Sequence, residues 1–132
     1  MNESAEITIK ELSDMAVGSY LLADVRDEIS FGYGAIPGAV SMPNIVELAK
    51  EGTLAKDKKY ILYCMKGVAS ADAAIELREL DYDAVSLAGG YSAWLMASFG
   101  GDDKQEDIEK SLRKGRFHKA LFSKFAKAIN TY

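Results

Sequence analysis

Apolar positions fall into short compact runs separated by polar or glycine-rich turns, and these runs alternate with stretches of helical spacing. Residues 7–9 predict a short strand and 10–15 a helical turn before Gly18. The run 20–24 is apolar up to a terminal carboxylate, Asp24, the pattern of a buried parallel strand. Gly32, Gly34, Pro37, Gly38 and Pro43 crowd into twelve residues, so the backbone over 31–44 must turn repeatedly before a short helix at 45–50. A second buried strand is predicted at 60–63. A helix follows at 69–80, with Ala71, Ala74, Ile75, Leu77 and Leu80 at helical spacing. Residues 84–87 predict a third strand, Gly89 and Gly90 break it, and 91–97 resume a helix with Trp94 and Leu95. Strands alternating with helices predict an α/β domain around a mostly parallel sheet over residues 5–98. Residues 99–103 then read as a linker and 104–132 as a basic helical extension. In that extension Phe117, Leu121, Phe125 and Ile129 recur every four residues, with Lys119, Lys124 and Lys127 elsewhere around the helix.

Composition narrows the setting. At 132 residues, 48% hydrophobic and 27% charged, the chain is the size of one globular domain and is not disordered throughout. No apolar run approaches the roughly 20 residues that span a bilayer, and residues 1–10 lack a basic stretch followed by an apolar one, so neither secretion nor membrane insertion is expected. The lone Cys64 has no internal disulfide partner, which points to a reducing compartment, the cytoplasm. The lone His118 leaves no metal-binding cluster, so no metal or other cofactor is expected. Charge is unevenly spread: residues 1–109 carry 20 acidic and 9 basic side chains, residues 110–132 none and 7. Such a tail meets nucleic acid, an acidic membrane or the acidic body itself.

Chemistry concentrates at Cys64, which ends a predicted strand and opens the loop Met65, Lys66, Gly67, Val68, Ala69, leading into a helix that Ser70 is expected to cap. Such a loop aims backbone N–H groups and the positive end of a helix at the sulfur, and Lys66 adds a cation beside it. Thiols in these settings ionise well below the ordinary value of about 8.5. Gly67 lets the loop curl tightly. An inert buried cysteine at a strand end is the competing reading. Lys66 has its own alternative as a solvated loop lysine.

The loop from Cys64 to Ser70 resembles the active-site loop of rhodanese sulfurtransferases. Asp24, Val25, Arg26 is similar to that family's early aspartate and arginine pair, and Gly34, Ala35, Ile36, Pro37, Gly38, Ala39 to its glycine, histidine, isoleucine, proline, glycine, alanine signature. Leu87, Ala88, Gly89, Gly90, Tyr91, Ser92, Ala93, Trp94 is similar to its closing leucine, double glycine and tryptophan. The resemblance implies a three-layer fold with a five-stranded, mostly parallel sheet flanked by helices. It also implies a cysteine that attacks sulfane sulfur, carries it as a persulfide and passes it on, with thiosulfate or a cysteine desulfurase as donor. Two positions depart from the pattern: Ala35 replaces the histidine, and Ala69 stands where some members carry arginine, threonine or serine. Asp24 and Arg26 read as structural support through charge-assisted hydrogen bonds. Phosphatases of similar fold need an arginine six positions after the cysteine to hold phosphate; here that residue is Ser70. With no second cysteine, the acceptor must come from outside the chain. A non-catalytic binding or regulatory module of the same fold is the alternative class.

Residues 108–132, with Ser111, Leu112 and the run from Phe122 to Asn130, resemble the lead-in helix of PP-loop ATPases that thiolate cytidine in tRNA. This resemblance implies the N-terminal piece of a longer fusion, with tRNA as a partner through a downstream ATPase domain. The ATP-binding loop of that family is not in this sequence. Deleting residues 104–132 is expected to leave a folded domain that unfolds cooperatively in urea. Loss of the cooperative transition would instead put the Phe117, Leu121, Phe125 stripe in the core.

Overall fold

The computed structural model describes residues 5–99; the basic extension and the linker beyond Phe99 lie outside the described residues. Ten elements follow in order: β1 (Glu6–Ile7), α1 (Ile9–Ser13), β2 (Leu21–Asp24), α2 (Glu28–Tyr33), β3 (Val40–Ser41), α3 (Ile45–Glu51), β4 (Lys59–Tyr63), α4 (Val68–Glu79), β5 (Asp83–Leu87) and α5 (Gly90–Phe99). The strands form one sheet in the order β1-β5-β4-β2-β3, and every neighbouring pair is parallel. The five-stranded sheet flanked by helices agrees with the fold expected from the sequence. Among the described residues no helix is long and apolar enough to cross a membrane.

Local structure departs from the sequence pattern in three places. The strand expected at 7–9 stops at Ile7, because Thr8 begins α1 with a capping box. Its side chain accepts from the Glu11 N–H at 3.1 Å, and its own N–H donates to the Glu11 carboxylate at 2.7 Å. The turning segment at 31–44 hides the end of α2, a helix that Asp27 starts ahead of it by accepting from the Ser30 N–H at 2.8 Å. It also hides the two-residue β3 at the sheet edge, whose pairing with β2 supplies what so short an apolar signal does not. The last helix runs two residues past the expected end, and Phe99 meets the Trp94 ring edge-on at 6.3 Å.

Alternation along the central strands divides the core in two. On β4, Ile61 and Tyr63 face one side and Tyr60 and Leu62 the other, as successive strand side chains must. The first face packs with Leu12 of α1 and Tyr91 of α5, the second with Ile45 and Ala49 of α3 and Ala74 and Leu77 of α4. Both faces of the sheet are thereby covered, which accounts for the uninterrupted apolar runs of its strands.

The connections after β4 and β5 meet at the C-terminal edge of the sheet. The first N–H groups of α5 donate to the loop after β4: Tyr91 N–H to the Cys64 carbonyl at 2.8 Å and Ser92 N–H to the Met65 carbonyl at 3.0 Å. Gly90 makes this approach possible. A Cβ there would press on the Cys64 carbonyl, lie 2.8 Å from the Met65 carbonyl oxygen and 2.9 Å from the Gly67 nitrogen, and its φ of +59° already disfavours a side chain. Those contacts are backbone atoms and cannot swing aside. Gly90→Ala is expected to lower unfolding stability by about 2 kcal/mol or more, the scale of core overpacking together with backbone strain. Urea denaturation checks it, and a midpoint equal to wild type would contradict so close an approach.

Candidate active site

Cys64 follows the last residue of β4 and is only 8% exposed to solvent. Its Sγ accepts from the Gly67 N–H at 3.1 Å and the Ser70 N–H at 3.3 Å, and the Ser70 hydroxyl lies 3.3 Å away. The loop can bend this sharply because Gly67 takes φ +92° as the residue before α4. A Cβ at Gly67 would stand 2.9 Å from the Gly89 nitrogen, so this glycine also serves the interlock with the β5–α5 connection. With the loop carbonyls engaged by α5, the amides of the following turn are left to the sulfur.

Two effects oppose each other on the thiol. Burial alone would push its pKa up, because it disfavours the charged form. Hydrogen bonds from the Ser70 hydroxyl, the Ser70 N–H, the Gly67 N–H and the Lys66 N–H favour the thiolate and prevail, so the Cys64 pKa lies below its ordinary value. Lys66 contributes through its backbone, while its side chain sits in an exposed position. Met65, Val68 and Ala69 are exposed as well, whereas Gly67 and Ser70 are buried. Ser70 does not cap α4 as expected. The helix begins earlier, at Val68, with no side-chain cap, which places Ser70 inside the first turn with both its polar groups on the sulfur.

A second polar cluster stands behind the loop. Asp24 is fully buried at the end of β2 and accepts from the Arg26 N–H at 2.9 Å and from the guanidinium through Nε at 3.0 Å and Nη2 at 2.7 Å. Arg26 Nη2 also donates to the Gly34 carbonyl at 2.6 Å, fastening the segment that carries the Ala35 departure. Burial works against the guanidinium charge, but the hydrogen bond and charge of Asp24 prevail and raise the Arg26 pKa. The guanidinium lies 4.2 Å from the Tyr91 ring centroid and 5.8 Å from that of Tyr63. Tyr63 is kept protonated by burial and by Asp24, and its hydroxyl oxygen accepts from the Ile36 N–H at 3.0 Å. Asp24 and Arg26 thus support the residues on either side of the loop, Tyr63 before it and Tyr91 against it.

One polar residue near the sulfur falls outside every motif in the sequence. Ser86, fully buried on β5, places its hydroxyl 2.7 Å from that of Ser70. Its only signal is a lone serine in the apolar run Ala84, Val85, Ser86, Leu87.

Known proteins share this arrangement of chain. The family model of the Rhodanese-like domain matches residues 8–97. The thiosulfate sulfurtransferase GlpE of Shewanella oneidensis is 33% identical over 96 residues, which cover 71% of this chain and 95% of GlpE. The probable adenylyltransferase/sulfurtransferase MoeZ of Mycobacterium tuberculosis is 36% identical over 97 residues, 70% of this chain but 25% of MoeZ, so the chain spans about a quarter of that relative. Among solved structures, the human single-domain sulfurtransferase TSTD1 is similar with a TM-score of 0.58 and 25% identity, covering 70% of this chain and 96% of that one. With its fold and sequence matched over two thirds of its length, the chain belongs to the family of rhodanese-like domains.

Proposed function

We propose that the protein is a sulfurtransferase that carries sulfane sulfur as a persulfide on Cys64. The observation that carries this reading is the pair of backbone donors on Cys64 Sγ, the Gly67 and Ser70 N–H groups, with the Ser70 hydroxyl 3.3 Å from the same sulfur. A group held as an anion at a buried strand end is poised as a nucleophile. With thiosulfate as donor, the Cys64 thiolate attacks the outer, sulfane sulfur. The new S–S bond forms as the old one breaks, and sulfite leaves with the electron pair. The product is a Cys64 persulfide anion, whose charge the same loop amides and the Lys66 ammonium stabilise. A protein persulfide, as formed by a cysteine desulfurase, donates in the same way with a thiolate as leaving group. In the return step an external thiolate attacks the outer sulfur and Cys64 departs as a thiolate, the form the loop favours. Met65, Lys66, Val68 and Ala69 form the exposed side of this loop, across which donor and acceptor approach. Delivery to tRNA through an attached thiolation domain rests on the resemblance of residues 108–132, which lie outside the described residues.

Exposure to thiosulfate is expected to add the mass of one sulfur to the Cys64 peptide, reversibly with reductant. Cys64→Ser should abolish that adduct and all transfer while the circular dichroism spectrum stays unchanged. Lys66→Ala should slow loading from the dianion about 10-fold, the equivalent of about 1.4 kcal/mol in the barrier. A Cys64 that stays unmodified with thiosulfate and with a loaded cysteine desulfurase would leave the binding module as the function.

A further inference from the structure

The buried hydroxyl of Ser86 is not required by the fold around it. Its strand pairs through its backbone, the Ser86 N–H donating to the Ala5 carbonyl at 2.6 Å. Ala84 lies on the same face of its strand, and Ala74 and Leu77 of α4 pack on that face. An alanine would satisfy that packing, while a buried hydroxyl is costly unless it is hydrogen-bonded. Its partner among the described residues is Ser70 Oγ, at 2.7 Å, and Ser70 in turn meets Cys64 Sγ at 3.3 Å.

This chain of three groups has three proton orders, one of which, with Ser70 accepting from both neighbours, leaves the Ser70 proton without an acceptor among the described residues and is set aside. Two remain. In the first, Ser86 donates to Ser70 and Ser70 donates to Sγ. Every hydroxyl proton then has an acceptor, and the sulfur accepts, which a thiolate does more strongly than a thiol. In the second, the Cys64 S–H donates to Ser70 and Ser70 donates to Ser86. The Ser86 proton then has no acceptor among the described residues, although the residue is fully buried. The Gly67 and Ser70 N–H groups cannot receive the S–H proton, since they are donors themselves.

We propose that Ser86 is a positioning residue for sulfur transfer, whose hydroxyl donates to Ser70 Oγ and so commits the Ser70 hydroxyl to donate to Cys64 Sγ. This rests on the reading of Cys64 as a thiolate nucleophile. Ser86 does not touch the sulfur. It removes the alternative orientation of the residue that does, so the anion is favoured both before attack and when Cys64 leaves. The charged or titratable groups on the surrounding elements are Glu6 on β1, in register with Ser86, Lys66 in the loop, Lys59, Tyr60 and Tyr63 on β4, Asp72, Glu76, Arg78 and Glu79 on α4, Asp83 on β5 and Tyr91 on α5, with the Asp24–Arg26 pair behind them. None is hydrogen-bonded to Sγ, Ser70 Oγ or Ser86 Oγ, and a comparison of variants at Ser86 leaves all of them in place.

The test is the pH profile of Cys64 alkylation by iodoacetamide, an uncharged reagent, in wild type, Ser86→Ala, Ser70→Ala and the double variant, with thermal unfolding measured on each. Ser86→Ala is expected to raise the midpoint and slow alkylation at neutral pH by roughly threefold to tenfold, the range of one hydrogen bond. In the Ser70→Ala background the same change should have no further effect on the midpoint. An unmoved midpoint in Ser86→Ala, or an undiminished shift in the double variant, overturns the proposal. If Ser86→Ala does not fold, Ser86→Thr, which keeps the hydroxyl, decides: a wild-type midpoint supports the relay, and a midpoint raised as in Ser70→Ala overturns it. A wild-type midpoint at the ordinary cysteine value would instead overturn the thiolate reading itself, whatever Ser86 does.

Discussion

The contact on which the site depends is the backbone seam between the loop after β4 and the start of α5. The carbonyl groups of Cys64 and Met65 are bound by the Tyr91 and Ser92 N–H groups. A peptide chain that turns its carbonyls to one side has its next amides free on the other, and here those amides belong to Gly67 and Ser70 and lie on the sulfur. The donor groups at the two helix starts act on different partners, those of α5 on the loop carbonyls and those of α4 on the Cys64 sulfur. The seam tolerates no side chain at Gly90 and little at Gly67, because both would meet backbone atoms within 3 Å. Two glycines far apart in sequence are therefore one structural feature.

The seam explains how a thiol can be buried and still ionise. Removal from water raises a thiol pKa, and without compensation Cys64 would be an inert core residue. Preorganised donors replace the lost solvation, and their sum outweighs the burial. Asp24 and Arg26 act one layer further out. A buried ion pair of this kind adds little net stability by itself, since both groups lose their hydration. Its value here is geometric: it ties Tyr63, Tyr91 and the Gly34 carbonyl to one guanidinium.

The order of strands and helices is legible in the sequence because the central strands are buried on both faces and read as apolar runs, and because α4 carries its apolar residues at helical spacing. Cys64, its loop and the Asp24–Arg26 pair are legible as a pattern of residue types. What stays hidden depends on interactions rather than on patterning. Asp27 starts α2 just ahead of a segment whose glycines and prolines signal only turning, and the helix runs into it. β3 has two residues and exists through its pairing with β2. Serine favours the cap position, which is why the sequence suggests that role for Ser70, but α4 starts at Val68 and turns the Ser70 hydroxyl to the sulfur. Ser86 is 16 positions from Ser70, and only the packing of β5 against α4 brings the two hydroxyls together.

The Ser70 hydroxyl and the loop amides, rather than a neighbouring charged side chain, favour Cys64 as an anion. The decisive measurement follows the backbone amide resonances of Gly67 and Ser70 by nuclear magnetic resonance while the thiol is titrated. Both resonances are expected to move together, with one midpoint below the ordinary cysteine value, and to stay still in Cys64→Ser. Resonances that do not respond to the titration, or a midpoint at or above the ordinary value, would mean that the amides do not hold the thiolate.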